Sequence, residues 1–154
     1  MTAGTDDVAG EVRTRPLWRD LALTSGRHDV NQYLHLVGRV LLALIFVLSG
    51  VGKISNPSGT MQYMQAMGVP AVLLWPTIAL EVLGGLAIIV GYQTRLAALL
   101  LAAFCVVAAL LFHRQLGDQM QMIMFLKDLT IAGGFLLLAS SGATSYALDR
   151  ARGA

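Results

Sequence analysis

Five side chains in this sequence could do chemistry: Lys53, Glu81, His113, Lys127 and Asp128. Each lies within or at the end of a long apolar stretch, where a charge costs about 2.5–3.5 kcal/mol and needs a partner or a purpose. Glu81 is the clearest case. It lies about ten residues, or about 15 Å at the helical rise, from either end of its stretch, too deep for a short carboxylate to reach water. Glu81 or His113 would transfer protons, because imidazole titrates near neutrality. Lys127 would hold an anion or a quinone carbonyl, with Lys53 supporting it. Asp128 points about 100° away from Lys127 on a helix, so the two share a face only in part.

The elements that position these groups are four apolar stretches, each close to the ~20 residues that cross a bilayer. They run from Leu34 to Gly52, Ala71 to Val90, Leu96 to Phe112 and Gln121 to Ser140. Ser55-Asn56-Pro57-Ser58-Gly59, Gly68-Val69-Pro70, Gly91-Tyr92 and Gly117-Asp118 punctuate them. The segment 60–67 between the first two reads as a short surface helix. The expected fold is therefore all-α, an integral membrane bundle of four transmembrane helices over 33–149. A flexible tail, 1–32, is expected before it and a short one, 150–154, after it. No short apolar core follows a basic start, so the tail does not read as a cleaved signal peptide.

Alternating helix directions put Lys53, Glu81, His113, Lys127 and Asp128 in the same half of the bundle. Arg39 falls in the other half, where pairing elsewhere or snorkelling is expected. Lys and Arg are more numerous on the Arg39 side, which assigns both termini and the loop at Arg95 to the cytoplasm. The five polar groups then form a pocket opening outward. The bland alternative is an ion-pair network, such as Glu81 with Lys53 or Lys127, that only specifies helix packing. Gly84-Gly85, Gly133-Gly134 and Ser49-Gly50-Val51-Gly52 read as close-packing surfaces, and Glu81, one turn from Gly84-Gly85, faces the interior.

Composition narrows the classes. Hydrophobic residues make up 56% of the 154 and charged ones 13%, about half the charge usual in a soluble domain. A formal net charge of +2 and no basic patch interleaved with aromatics argue against nucleic acid. Cys105 is the single cysteine, so the chain has no two-cysteine relay of its own; it reads as a small buried residue. Met61, Met64 and Met67 share one face of the short helix. Thioethers suit Cu(I), but adaptable packing is the commoner use, and no metal site is assigned. No motif for nucleotide, zinc or covalently bound haem is present.

These residues also carry a resemblance. Gly38-Arg39, Ser49-Gly50-Val51-Gly52-Lys53, Met67-Gly68-Val69-Pro70, Glu81 with Gly84-Gly85, and Gly91 with Arg95 stand in order along the chain. Phe112-His113, Phe125-Leu126-Lys127-Asp128, Gly133-Gly134 and Asp149 follow. Over Leu34 to Asp149 the chain resembles the DoxX family of membrane proteins. The resemblance implies a four-helix inner-membrane protein, with relatives in thiosulfate:quinone oxidoreduction and in sulfur or thiol redox defence. It departs at Asp128, where the family pattern has Asn; a carboxylate there would neutralise Lys127 and weaken an anion site.

The expected function is a membrane subunit of a redox assembly linking sulfur or thiol oxidation to the quinone pool. Glu81 and His113 are its catalytic residues; Lys53, Lys127 and Asp128 bind substrate. Quinone is the one cofactor implied, with none covalently attached. The expected partners are the lipid bilayer, soluble or membrane redox proteins and a second copy of the chain. Two rival readings are an anchor or scaffold for soluble redox enzymes and a small-solute transporter.

Overall fold

The computed structural model describes residues 17–142 and 146–151, with side-chain surroundings for 30–142 and 146–149. The elements are α1 (Leu17–Ser55), α2 (Pro57–Ala66), a single 3-10 turn (Ala71–Leu73), α3 (Leu74–Val90), α4 (Thr94–Phe112), α5 (Gln119–Ser141) and α6 (Leu148–Ala151). Residues 1–31 and 32–154 form two units. Of the expected flexible tail, 1–16 lie outside the described residues, whereas 17–32 are helical. A single glycine, Gly26, costs a helix about 1 kcal/mol and does not end it.

Among the described residues four helices are long and apolar enough to span a membrane: Val30–Ser55, Ala71–Val90, Thr94–Phe112 and Gln119–Ser141. Turn chemistry sets their ends. Asn56 caps α2 by accepting from the Gly59 amide at 3.1 Å, with Pro57 in the first turn, where its missing N–H costs nothing. Asp118 caps α5 by accepting from the Gln121 amide at 2.9 Å. Gly91, at φ 71°, closes α3 in the left-handed region, and a Cβ there would run into Ala147. The start of α4 has no cap of its own. Asp149 supplies it, its carboxylate accepting from the Gln93 and Thr94 amides at 2.6 and 2.8 Å.

These short connections make sequential helices antiparallel. The C-termini of α1 and α4 and the N-termini of α3 and α5 meet at one end, marked by Lys53. Arg39, Gly91 and Asp149 mark the other. The core is built where α4 presents Ala97, Ala98, Ala102 and Cys105, small enough to let α5 approach, with Leu101 buried beside them. Phe46 fills the centre, edge-on to Phe135 at 5.3 Å between ring centroids. Outside this seam large apolar side chains stand exposed on every span, Leu41, Leu83, Leu110 and Leu137 among them. A folded chain tolerates such a surface when lipid is the solvent.

Glycines report which helices touch. A Cβ on Gly50 would lie 2.5 Å from Val82 Cγ2, and one on Gly85 2.8 Å from Val47 Cγ2, so α1 and α3 pack through these two residues. Gly84 faces Leu101 of α4, and Gly134 faces Leu42 of α1. Gly52 and Gly133 face open space, which corrects their reading as packing surfaces. Of the two expectations for Arg39, pairing elsewhere is what the structure shows. At 1% exposure Arg39 donates to the carbonyls of Ile89 (3.1 Å) and Tyr146 (2.8 Å), tying α1 to the end of α3 and to the C-terminal segment.

Candidate functional site

Lys53 lies near the C-terminus of α1. Helical side chains lean toward the N-terminus, so its amine turns back into the bundle rather than out toward the membrane surface. It donates to both oxygens of Glu81, at 2.9 and 2.8 Å, and to Ser49 Oγ at 2.6 Å. Ser49 stands one turn earlier on α1 and donates in turn to Glu81 Oε1 at 3.3 Å. Glu81 is buried, and this bidentate pair compensates its charge.

The second group is built from α4 and α5. His113 caps the C-terminus of α4. Its Nδ1 bonds Gln121 Oε1 at 2.9 Å, and its Nε2 lies 3.7 Å from Asp128 Oδ2. Lys127 extends farther out, its Nζ 4.0 Å from Asp128 Oδ1 and 3.3 Å from Met124 Sδ. Asp128 thus stands between imidazole and amine, closer to the imidazole.

Both groups line one cavity of about 630 Å³. The structure brings all five residues singled out by sequence to it: Lys53, Glu81, His113, Lys127 and Asp128. Its remaining walls are mainly apolar, with Phe46, Leu80, Phe104 and Ile131 among them, and Cys105 lies on the wall contributed by α4. The size falls within the ~300–1,000 Å³ of small-molecule sites, and apolar walls with a few convergent polar groups are their usual build. Over the Lys53 end lies α2. Met64 and Val69 are buried with Leu74 and Ile78, and Met61 and Met67 pack against them. The methionine stripe is a packed lid. Tyr63 of the same helix stacks on Phe112 at 5.6 Å between centroids and 15° between planes, joining lid to α4.

Sequence reasoning missed two residues of this arrangement and undervalued a third. Gln121 touches His113 only because the 113–118 loop folds back, and no sequence spacing signals that. Tyr63 reaches Phe112 across a tertiary contact. Ser49 was legible, since its i, i+4 spacing from Lys53 puts both on one face.

A family model for DoxX matches residues 34–114. This chain belongs to the DoxX family. The DoxX match covers the first three spans with Lys53, Glu81 and His113, while Lys127 and Asp128 lie beyond it. The inner membrane protein YqjF of Escherichia coli (strain K12) is 49% identical over 115 residues, 75% of this chain and 88% of the relative. The inner membrane protein YphA of the same organism is 37% identical over 122 residues, 75% of this chain and 87% of the relative. "Putative oxidoreductase CatD" of Bacillus subtilis (strain 168) is 31% identical over 67 residues, 44% of this chain and 50% of the relative. No solved structure matches the chain. With four spanning helices, this is a DoxX-family inner membrane protein.

Proposed function

We propose that this chain is the membrane subunit of an oxidoreductase that passes electrons from a sulfur or thiol donor to a quinone. The carrying observation is a cavity in which an apolar wall meets two separate acid–base groups. The family relationship, and the oxidoreductase name carried by one partial relative, support the same class. A bound quinone supplies an acceptor of two electrons and two protons. Two thiols supply both when they join as a disulfide, so that step balances without a further reactant.

The residues divide the work. Lys53 and Ser49 hold the Glu81 carboxylate by hydrogen bonds inside the bundle and leave it positioned to give or take a proton at a ring oxygen. His113, held by Gln121 on one side and facing Asp128 on the other, is the proton carrier nearest the end of the helices. Lys127 attracts an anionic donor or a ring carbonyl. Apolar walls surround the buried Glu81, which strengthens its interaction with Lys53.

The excess of Lys and Arg on the Arg39 side favours cytoplasmic termini, and the cavity then lies in the outer half of the membrane. The test is quinone reduction by isolated membranes with thiosulfate and small thiols as donors, comparing the intact protein, a deletion and Glu81→Gln. Loss of reduction in the deletion and in Glu81→Gln supports a catalytic subunit. Loss in the deletion alone replaces the proposal with a scaffold, and unchanged rates in both remove the redox reading.

A further inference from the structure

We infer that the cavity is loaded from the bilayer, through a gap between α3 and α4 in the half of the bundle nearer Lys53, and that its ligand is an amphiphile whose apolar tail stays in that gap. This rests on the quinone reading of the same cavity and adds the route and the tail. Three observations carry it.

First, α2 covers the α3 side of that end. The lid α2 buries Met64 against Leu74 and Ile78, and Tyr63 stacked on Phe112 bridges the lid to α4. A ligand approaching along the helix axes from that side meets packed side chains. Second, α3 and α4 meet at two levels: Phe112 of α4 packs against the cluster of Met64, Val69, Leu74 and Ile78 beside the lid, and Gly84 meets α4 farther along. Gly84 lies against Leu101, where a Cβ would come within 3.3 Å of Leu101 Cδ2. Between these two levels the facing sides of both helices line the cavity: Thr77 and Leu80 on α3, Phe104 and Ala108 on α4. Third, residues at the rim of this gap line the cavity and are exposed at the same time. Leu73 is 45% exposed, Val107 51% and Leu111 37%. At that depth in a spanning helix the exposed side meets lipid.

Charge separates this gap from the alternative. Between α1 and α5 the cavity is also lined by an exposed residue, Ile45, but the α5 edge there carries the Lys127 amine. An alkyl tail lying against an ammonium gains nothing and dehydrates it. The α3–α4 rim offers Leu73, Pro76, Val107 and Leu111, with no charge among them. The polar head of the ligand would then reach Glu81 with Lys53, and His113 with Asp128, while its tail trails outward between Pro76 and Val107.

The experiment uses the full chain in lipid nanodiscs with a long-chain quinone bearing a photoreactive azide at the end of its tail. Irradiation is done with and without excess unreactive quinone, and labelled peptides are mapped by mass spectrometry. The expected result is competable label within 73–80 and 104–111. Competable label around Ile45 or Lys127 would overturn the α3–α4 route and leave the quinone reading standing. No competable label anywhere would overturn both. Val107→Trp provides a second measurement, because it fills the rim without touching the acid–base groups. Loss of reduction of the long-chain quinone, with a tail-less quinone still reduced, supports the route; equal loss of both, or of neither, counts against it.

Discussion

Lys53 donates two hydrogen bonds to the Glu81 carboxylate inside the bundle, and such a pair can be either a packing device or part of a reaction. The two roles separate in a mutant cycle. Breaking a buried pair by removing one partner costs about 3–5 kcal/mol, whereas replacing both with uncharged residues of similar volume is often neutral. We predict that Lys53→Met lowers thermal stability sharply, since Glu81 is left buried and unpaired. The double variant Lys53→Met, Glu81→Gln should recover most of that stability, measured by thermal unfolding in detergent, while quinone reduction stays lost. Recovery of activity along with stability would assign the pair to packing alone. That all five titratable residues share one half of the bundle was legible in the sequence, because helix directions alternate. That Glu81 takes Lys53 and not Lys127 was not, because the choice depends on Lys53 folding back along α1 beside Ser49.

Helix contacts turn on single glycines, and they make sharply different predictions. At Gly85 a Cβ would meet Val47 Cγ2 at 2.8 Å and the Ala43 carbonyl oxygen at 3.3 Å. A backbone atom cannot rotate away, so Gly85→Ala should force α1 from α3 at a cost of about 1–3 kcal/mol, as overpacking does. Gly133 meets nothing within 4 Å, so Gly133→Ala should be neutral or stabilising by up to about 1 kcal/mol through helix propensity. The same thermal assay compares them, and equal effects would contradict the packing described. At the far end Asp149 caps the first two amides of the α3–α4 turn and α4 from across the chain. We predict that Asp149→Ala costs about 0.5–2 kcal/mol, the range for a lost N-cap, with Asp149→Asn retaining part of it. The sequence shows an acid after the last span, but nothing in its spacing says which helix it caps.

For the whole molecule, lipid replaces water as the solvent of most side chains, and orientation decides which aqueous phase the cavity end faces. A fluorescent reporter that folds only in the cytoplasm, fused after residue 154, should be bright, and a periplasmic enzyme reporter at the same place should be inactive. The reverse pattern would put the cavity in the cytoplasmic half and require its donor to be cytoplasmic. Arg39 is buried within the bundle, its guanidinium bonded to the carbonyls of Ile89 and Tyr146.

What the sequence determined by itself was the solvent and the fold class. Runs of about 20 apolar residues, separated by Gly, Pro and Asn, admit little but spanning helices, because an unpaired backbone cannot cross lipid. It also determined which charges lie in that lipid, since composition and helical rise fix depth. The tertiary structure alone decided who pairs with whom: Lys53 with Glu81, His113 with Gln121 and Asp128, Arg39 with two carbonyls, Asp149 with a helix 55 residues away. The physical reason is range. Depth and periodicity are properties of one helix, whereas a hydrogen bond of about 3 Å depends on how two helices rotate and tilt against each other. Those angles follow from contacts such as Gly50 on Val82 and Gly84 on Leu101, which no single segment encodes.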